Sequence, residues 1–257
     1  MKGRIKMIKV LLSGCFGRMG KTIVEASLES DKIEIISGVD ILDGESRFPV
    51  YKSIDECTEA PDVIIDFSHH TSLPAIMKYA VKNNIPAVIA TTGHTEEEMK
   101  IMRESAEKIP VFFSRNMSIG VNLLIALSRK ASEFLGLDYD VEIIEAHHRN
   151  KLDAPSGTAL MIADAITETR ESTSYVYDRH ERKEKRSSEE IGIHAIRGGS
   201  IIGEHEVIFA GKDEVIKISH SAVSRSLFAS GAIKVAEFIA NKPAGMYNMD
   251  DMINGMI

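Results

Sequence analysis

The sequence predicts a two-part α/β protein, with a parallel-sheet domain first and a smaller α+β domain after it. Three observations carry this. Apolar strand-like runs alternate with helix-period segments as far as residue 116, the pattern of a parallel sheet covered on both faces. Beyond residue 117 the order changes to one long helix and several strands joined by short turns, which reads as an antiparallel or mixed sheet. The chain has 257 residues, room for two modest domains at roughly 100–200 residues each.

The elements follow in order. MIKVLLSG (7–14) is an apolar strand closed by a glycine turn, and Met19, Ile23, Val24 and Leu28 then mark one face of a helix. IEIISGVD (33–40), DVIIDFS (62–68), IPAVIATTG (85–93) and IPVFFSRN (109–116) are further strands, with helical spacing through Leu73, Ile76, Met77 and Ala80 between two of them. TEEEMKIMRESAEK (95–108) opens on acids and closes on Lys108, the polarity a helix dipole favours. Residues 118–136 form a long helix with Gly136 as its stop. YDVEIIEAHH (139–148) is a strand, and a helix runs from about Ser156 to Thr169. DRHERKEKRSSEE (178–190) is a solvated, loop-like charge run. IGIHAIRG (191–198), EHEVIFAG (204–211) and DEVIKISHSA (213–222) are strands, and a helix at about 225–240 precedes the tail.

Composition narrows the function. The formal net charge of −7 argues against a nucleic-acid partner, which needs a basic footprint. Two cysteines, Cys15 and Cys57, make no disulfide framework and suit a reducing compartment. The basic N-terminus lacks the apolar core of a signal peptide. No stretch approaches the ~20 apolar residues of a membrane helix. A cytoplasmic protein with no membrane partner is the expectation.

GCFGRMG (14–20) lies between a strand and a helix, where a dinucleotide pyrophosphate rests on helix N-terminal N–H groups in a Rossmann-like domain. The spacing departs from G-x-G-x-x-G, because Phe16 stands where the second glycine belongs. Gly14 as a plain turn residue is the competing reading. Asp40 ends the second strand 20 residues after Gly20 and suits a ribose 2′-hydroxyl. Ile41 follows it, and the next cation in that loop is Arg47. NADH is therefore expected to serve at least as well as NADPH.

EAHHRNKLDAPSGTA (145–159) gathers the polar chemistry. Strand alternation sends His147 and His148 to opposite faces unless the strand ends there. One structural and one surface histidine is the bland reading. Adjacent histidines without H-x-x-x-H or C-x-x-C spacing make a metal site unexpected. Lys151 can orient a carboxylate or deliver a proton. Ser156 is a good N-cap, and the N–H groups after it, with the Thr158 hydroxyl, form an anion pocket. The combination suggests proton transfer on an acidic substrate.

The same segment resembles the E-x-H-H-x-x-K-x-D-A-P-S-G-T-A signature of the dihydrodipicolinate reductase family. GCFGRMG resembles that family's G-x-x-G-R-M-G, and ATTG (90–93), SRNMSIGVN (114–122), RGGSIIGEHEVIF (197–209) and SHSAVSRSLFASGA (219–232) are similar to further segments. The resemblance implies reduction of a cyclic dicarboxylic imine by NADH or NADPH in the diaminopimelate–lysine pathway. It implies His147 as acid/base and Lys151 as proton donor. It implies His148, Ser156, Gly157, Thr158 and Arg225 around the substrate. For the cofactor it implies Gly14, Cys15, Phe16, Gly17, Arg18, Met19, Asp40, Ala90, Thr91, Thr92, Ser114, Arg115, Asn116 and Met117. Arg115 stands where the family carries a small residue. The resemblance also implies a homotetramer, a nucleotide domain over 1–116 and 226–257, and a substrate and tetramerisation domain over 117–225. An amino-acid dehydrogenase of the same plan and a non-enzymatic NADH sensor are the alternatives.

Overall fold

The computed structural model describes residues 7–255; the basic N-terminal residues 1–6 and the last two residues, both assigned above to the nucleotide domain, lie outside the described residues. In chain order the strands and helices are β1 (Ile8–Ser13), α1 (Arg18–Leu28), β2 (Ile33–Val39), β3 (Val50–Tyr51), β4 (Val63–Asp66), α2 (Leu73–Asn83), β5 (Ala87–Ile89), α3 (Glu96–Ala106), β6 (Pro110–Phe113), α4 (Ile119–Leu135), β7 (Asp140–His147), α5 (Gly157–Thr167), β8 (Ser174–Val176), β9 (Glu190–Arg197), β10 (Gly203–Ala210), β11 (Val215–Ala222), α6 (Ser226–Ile239), β12 (Gly245–Tyr247) and α7 (Met249–Asn254). The chain divides into two compact units. One holds the chain up to Ile119 and again from Ser226 onward; the other is Gly120–Arg225.

The first unit is a seven-stranded sheet in the order β12-β6-β5-β4-β1-β2-β3, with every pair parallel. The buried stretches of its central strands, Val10–Leu12 and Val63–Ile65, are apolar because both faces are covered. Alternate residues serve opposite layers: Val10 and Leu12 of β1 and Val63 and Ile65 of β4 pack with Ile23 of α1 and Val235 and Ile239 of α6. Leu11 and Ile64 face the other way, onto Met77 of α2 and Met102 of α3. Local signals set the helix limits. Thr95 and Glu98 form a reciprocal capping box at the start of α3, and Asn84 closes α2 in the left-handed region.

The second unit is a mixed five-stranded sheet, β11-β10-β7-β9-β8. β10 runs antiparallel to β7 and β11, while β9 runs parallel to β7 and β8. α4 and α5 cover one face through Leu124, Ile125, Ile162 and Ile166, packed on Val141, Ile143, Ile193, Val207 and Phe209. α4 stops at Gly136, which takes φ +63°. Arg170 donates to the Gly136 and Tyr139 carbonyls just beyond it, so a cation holds the turn between α4 and β7.

Residues 178–189 are a loop that is exposed for most of its length, as expected, and β9 begins at Glu190; two of its arginines are nevertheless anchored. Arg186 is only 16 % exposed at its side chain. It donates to Asp140 Oδ1 at 2.8 Å, Glu142 Oε1 at 3.0 Å and the carbonyls of Val141 and Glu190. Arg179 pairs with Glu190. These two arginines tie the otherwise exposed loop to the sheet, because the starts of β7 and β9 carry the matching acids.

Candidate active site

In the first unit the turn after β1 is built for close approach. Gly14 takes φ +79°, and a Cβ there would lie 2.7 Å from the Phe67 carbonyl oxygen. A Cβ on Gly20 would lie 2.1 Å from the Gly14 oxygen, so only glycine lets α1 sit against the turn. Gly17 is the N-cap of α1 and supplies no side-chain cap, leaving helix N–H groups to bind an anion. Phe16 does not block the turn, because its ring is directed to Gly44, where a Cβ would meet it at 2.8 Å. Asp40 is buried, and its two oxygens accept the Phe16 N–H at 2.8 Å and the Leu42 N–H at 2.9 Å. Each oxygen keeps a lone pair for a hydroxyl donor. A cavity of about 400 Å³ beside this turn is lined by Gly14, Gly17, Asp40, Ile41, Leu42 and Lys52, among others. Glycine turn, open helix start and acid together fit a reduced dinucleotide.

The other cofactor positions are set by different means. Cys15 can offer only its backbone: its thiol is buried beside Gly38, and burial, then the Asp40 charge, pushes its pKa to about 11. Arg18 is exposed at the first position of α1, and Met19 packs on the core of this unit. Thr91 is buried and hydrogen-bonds Asp66 and His94, while Ala90 is half-buried and Thr92 exposed. Burial raises the Asp66 pKa against the pull of its Ser68 hydrogen bonds. Ser114 and Asn116 brace one another, with Asn116 N–H donating to Ser114 Oγ at 3.2 Å and Ser114 O–H to the Asn116 carbonyl at 2.8 Å. Met117 is buried and the Arg115 side chain is exposed.

In the second unit β7 presents Val141, Ile143, Glu145 and His147 on one inward face. Glu145 is wholly buried. Arg197 at the end of β9 grips it in a two-pronged bridge, both N···O distances being 2.7 Å. The Ser156 N–H donates to Glu145 at 3.0 Å, and His147 Nδ1 lies 2.6 Å from its other oxygen. Burial pushes the Glu145 carboxyl up, but Arg197, His147 and the Ser156 N–H outweigh it and hold the group below the ordinary glutamate range. A carboxylate at Nδ1 assigns the hydrogen to that nitrogen and leaves Nε2 as the reactive edge. A Cβ at residue 203 would stand 3.2 Å from Nε2, so Gly203 keeps that edge uncrowded.

His147 ends β7 and His148 lies just beyond it, which resolves the alternation problem. His148 Nδ1 is buried without a partner among the described residues, a polar atom that a ligand could satisfy. Lys151 pairs with Asp153 at 2.8 Å and is 23 % exposed at its side chain. Asp153 is lowered, chiefly by that ammonium. Ser156 caps α5 by accepting the Ala159 N–H, and its Oγ lies 3.1 Å from His205 Nε2; the oxygen is engaged and is no nucleophile. A Cβ added at Gly157, which opens α5, would meet nothing within 4 Å, so space lies before the helix N-terminus. Thr158 follows in the first turn. Arg225 is exposed in the turn after β11.

Three groups escaped the sequence reading: Glu145, Arg197 and His205. His205 stacks edge-on to His147 at 5.3 Å. Burial, then the neighbouring His147, drives its pKa to about 4, so it is neutral at neutral pH. The available signal was a glutamate placed by alternation among apolar strand residues, which needs a cation. Among the described residues no cluster of three or more His, Cys, Asp or Glu side chains is arranged to hold a metal ion. No helix among them is long and apolar enough to cross a membrane.

Comparison with known proteins covers nearly the whole chain. Residues 8–117 match the family model described as "Dihydrodipicolinate reductase, N-terminus", and residues 120–253 match "Dihydrodipicolinate reductase, C-terminus". The chain is 50 % identical over 248 residues to a 4-hydroxy-tetrahydrodipicolinate reductase of Caldanaerobacter subterraneus subsp. tengcongensis, covering 96 % of this chain and 98 % of that one. It is 46 % identical over 250 residues to the enzyme of that name from Clostridium tetani, with coverage of 96 % and 98 %. Among solved structures it resembles a dipicolinate-bound dihydrodipicolinate reductase from Paenisporosarcina sp. TG-14, with a TM-score of 0.81, 26 % identity, and coverage of 96 % of this chain and all of that one.

Proposed function

The chain belongs to the dihydrodipicolinate reductase family and reduces 4-hydroxy-tetrahydrodipicolinate to tetrahydrodipicolinate with NADH or NADPH; from that premise we propose that His147 and Lys151 handle the protons and that His148, Ser156, Gly157 and Thr158 seat the substrate. The observation that carries this is the Arg197–Glu145 pair, which fixes one edge of His147 at 2.6 Å and leaves Nε2 free of it, facing Gly203.

When bound, the reduced nicotinamide supplies the hydride. The chain's own task is to orient the acceptor ring, which must present its reacting carbon about 3–3.5 Å from the donor. One substrate carboxylate meets the Gly157 N–H and the Thr158 N–H and hydroxyl at the head of α5, with Ser156 holding that turn in place. The other meets Lys151 and His148. Lys151 leaves Asp153 to do so, an exchange made easy because Asp153 is more than half exposed. The 4-hydroxyl leaves with a neighbouring ring proton as water, which gives the conjugated imine; hydride addition then leaves an enamine, and protonation of its carbon completes the reduction, so substrate, hydride and one proton yield tetrahydrodipicolinate and water. The His147 Nε2 and the Lys151 ammonium are the acids for that step.

The unit up to Ile119 and from Ser226 onward holds the dinucleotide, through residues 14–19, Asp40, 90–92 and 114–117. The unit Gly120–Arg225 holds the substrate and mediates assembly as a homotetramer. β11 and β8 are the sheet edges available for pairing. Arg225, exposed in the turn after β11, is a further cation of the same substrate shell. A cytoplasmic location follows from the chemistry of a small-molecule reductase working with soluble reduced nicotinamides.

The test is oxidation of NADH and of NADPH in the presence of freshly generated 4-hydroxy-tetrahydrodipicolinate. The expected result is substrate-dependent loss of reduced-nicotinamide absorbance. Tight NADH binding without turnover would favour a sensor, and turnover only with an amino acid a different dehydrogenase.

A further inference from the structure

The cavity beside the glycine turn holds a cation whose position in the sequence concealed it. Asp40 alone favours a ribose 2′-hydroxyl and repels a 2′-phosphate. Arg47, the next cation along the loop, does not relieve this: it lines a separate depression with Phe16, Glu45 and Phe48. Lys52, immediately after β3, lines the same cavity as Asp40, Gly14 and Gly17. It arrives there because β3 pairs with the end of β2, Val39 opposite Tyr51.

The Lys52 ammonium has three donors. Two are spent on the carbonyls of Ile41 and Leu42, at 3.0 and 2.9 Å, which pins it against the two residues that follow Asp40. The third faces Asp43 Oδ1 at 2.7 Å, and the Asp43 side chain is 96 % exposed. A pair that open to solvent contributes little and exchanges readily. A phosphate monoester, carrying about −1.5 to −2 charge near neutral pH, is a stronger partner for that donor than a solvated carboxylate.

Resting on the reading of this cavity as the dinucleotide site, we propose that Lys52 is the specificity-determining residue that admits the 2′-phosphate of NADPH beside Asp40, taking it in place of Asp43. Asp40 keeps NADH usable and Lys52 makes NADPH usable, so this one loop sets the balance between the two cofactors.

The test reads the ratio of kcat/KM for NADPH to kcat/KM for NADH in the full-length enzyme and in Lys52→Met, Lys52→Arg and Asp43→Asn. Lys52→Met is expected to lower the ratio at least tenfold, Lys52→Arg to stay within threefold of the parent, and Asp43→Asn to raise the ratio. Calorimetric titration with 2′,5′-ADP and 5′-AMP provides a readout independent of catalysis: Lys52→Met loses at least tenfold in affinity for 2′,5′-ADP relative to 5′-AMP. A ratio unchanged within twofold in both measurements overturns the proposal and leaves Lys52 an anchor of the loop. So does an unmodified enzyme that discriminates against NADPH as strongly as Lys52→Met does. Absence of turnover with either cofactor in the unmodified enzyme would instead count against the reading of function, while the 2′,5′-ADP titration still decides the role of Lys52.

Discussion

Replacing Lys151 with alanine lowers kcat by about 10²–10⁴, the range typical of a lost general acid or base, and His147→Ala does the same. Both residues sit on the segment that ends β7 and leads into α5, whereas the glycine turn and Asp40 belong to the other unit. NADH affinity, measured by fluorescence titration, is therefore expected to stay within about twofold for both variants. The split matters more than the size of the loss. Lys151 also holds a substrate carboxylate in this account, so its replacement raises KM as well as lowering kcat. His147→Ala acts on kcat with less effect on KM. A matching fall in NADH affinity for either variant would refute this division of labour.

The second large effect is on stability. Arg197→Ala leaves a wholly buried carboxylate without its guanidinium, and removing one partner of such a pair costs about 3–5 kcal/mol. The arginine also donates to the Asp153 carbonyl, so its loss frees the Lys151 segment as well. The urea midpoint of the second unit is expected to fall accordingly. Arg197→Lys recovers only part of it, because an ammonium cannot present two parallel donors. Glu145→Gln is milder on stability, but it turns a carboxylate that steadies the His147 Nδ1–H into an amide, and the pH profile of kcat should shift with it. The sign of the pH dependence follows from the direction of the Glu145 shift. A carboxyl held below its ordinary value stabilises the fold above that value, and the contribution is lost as pH falls through the folded value. Arg197→Ala should weaken that acid sensitivity. A destabilisation under about 1 kcal/mol, well short of the usual cost of breaking a buried pair, with the pH profile unmoved, would mean that the pair does not organise the site.

The parts of this architecture that announce themselves in the sequence are those set by local rules. Two-sided burial makes β1 and β4 continuous apolar runs, Thr95 and Glu98 mark a helix start, and Gly136 marks a helix end. The parts that do not are short or distant. β3, β8 and β12 have two or three residues each, too few for alternation to register, yet β3 is what delivers Lys52 to the cavity. Arg197 meets Glu145 across 52 residues, a pairing settled only when β9 aligns beside β7. Within the exposed charge run, nothing in the sequence distinguishes Arg186, which is anchored only once the acids at the starts of β7 and β9 are placed next to it. Family resemblance names His147 and Lys151, but neither spacing nor resemblance predicts that Lys151 rests on Asp153, or that His205 lies neutral behind His147.

The central claim is that the segment from His147 to Thr158 grips a doubly anionic ring. A crystal structure of the enzyme soaked with pyridine-2,6-dicarboxylate tests it most directly. The account predicts one carboxylate on the Gly157 and Thr158 N–H groups, the other on Lys151 and His148, the Lys151–Asp153 pair opened, and the Glu145–Arg197 bridge unchanged. A ligand bound away from the two imidazoles and the start of α5, with Lys151 still on Asp153, would contradict it.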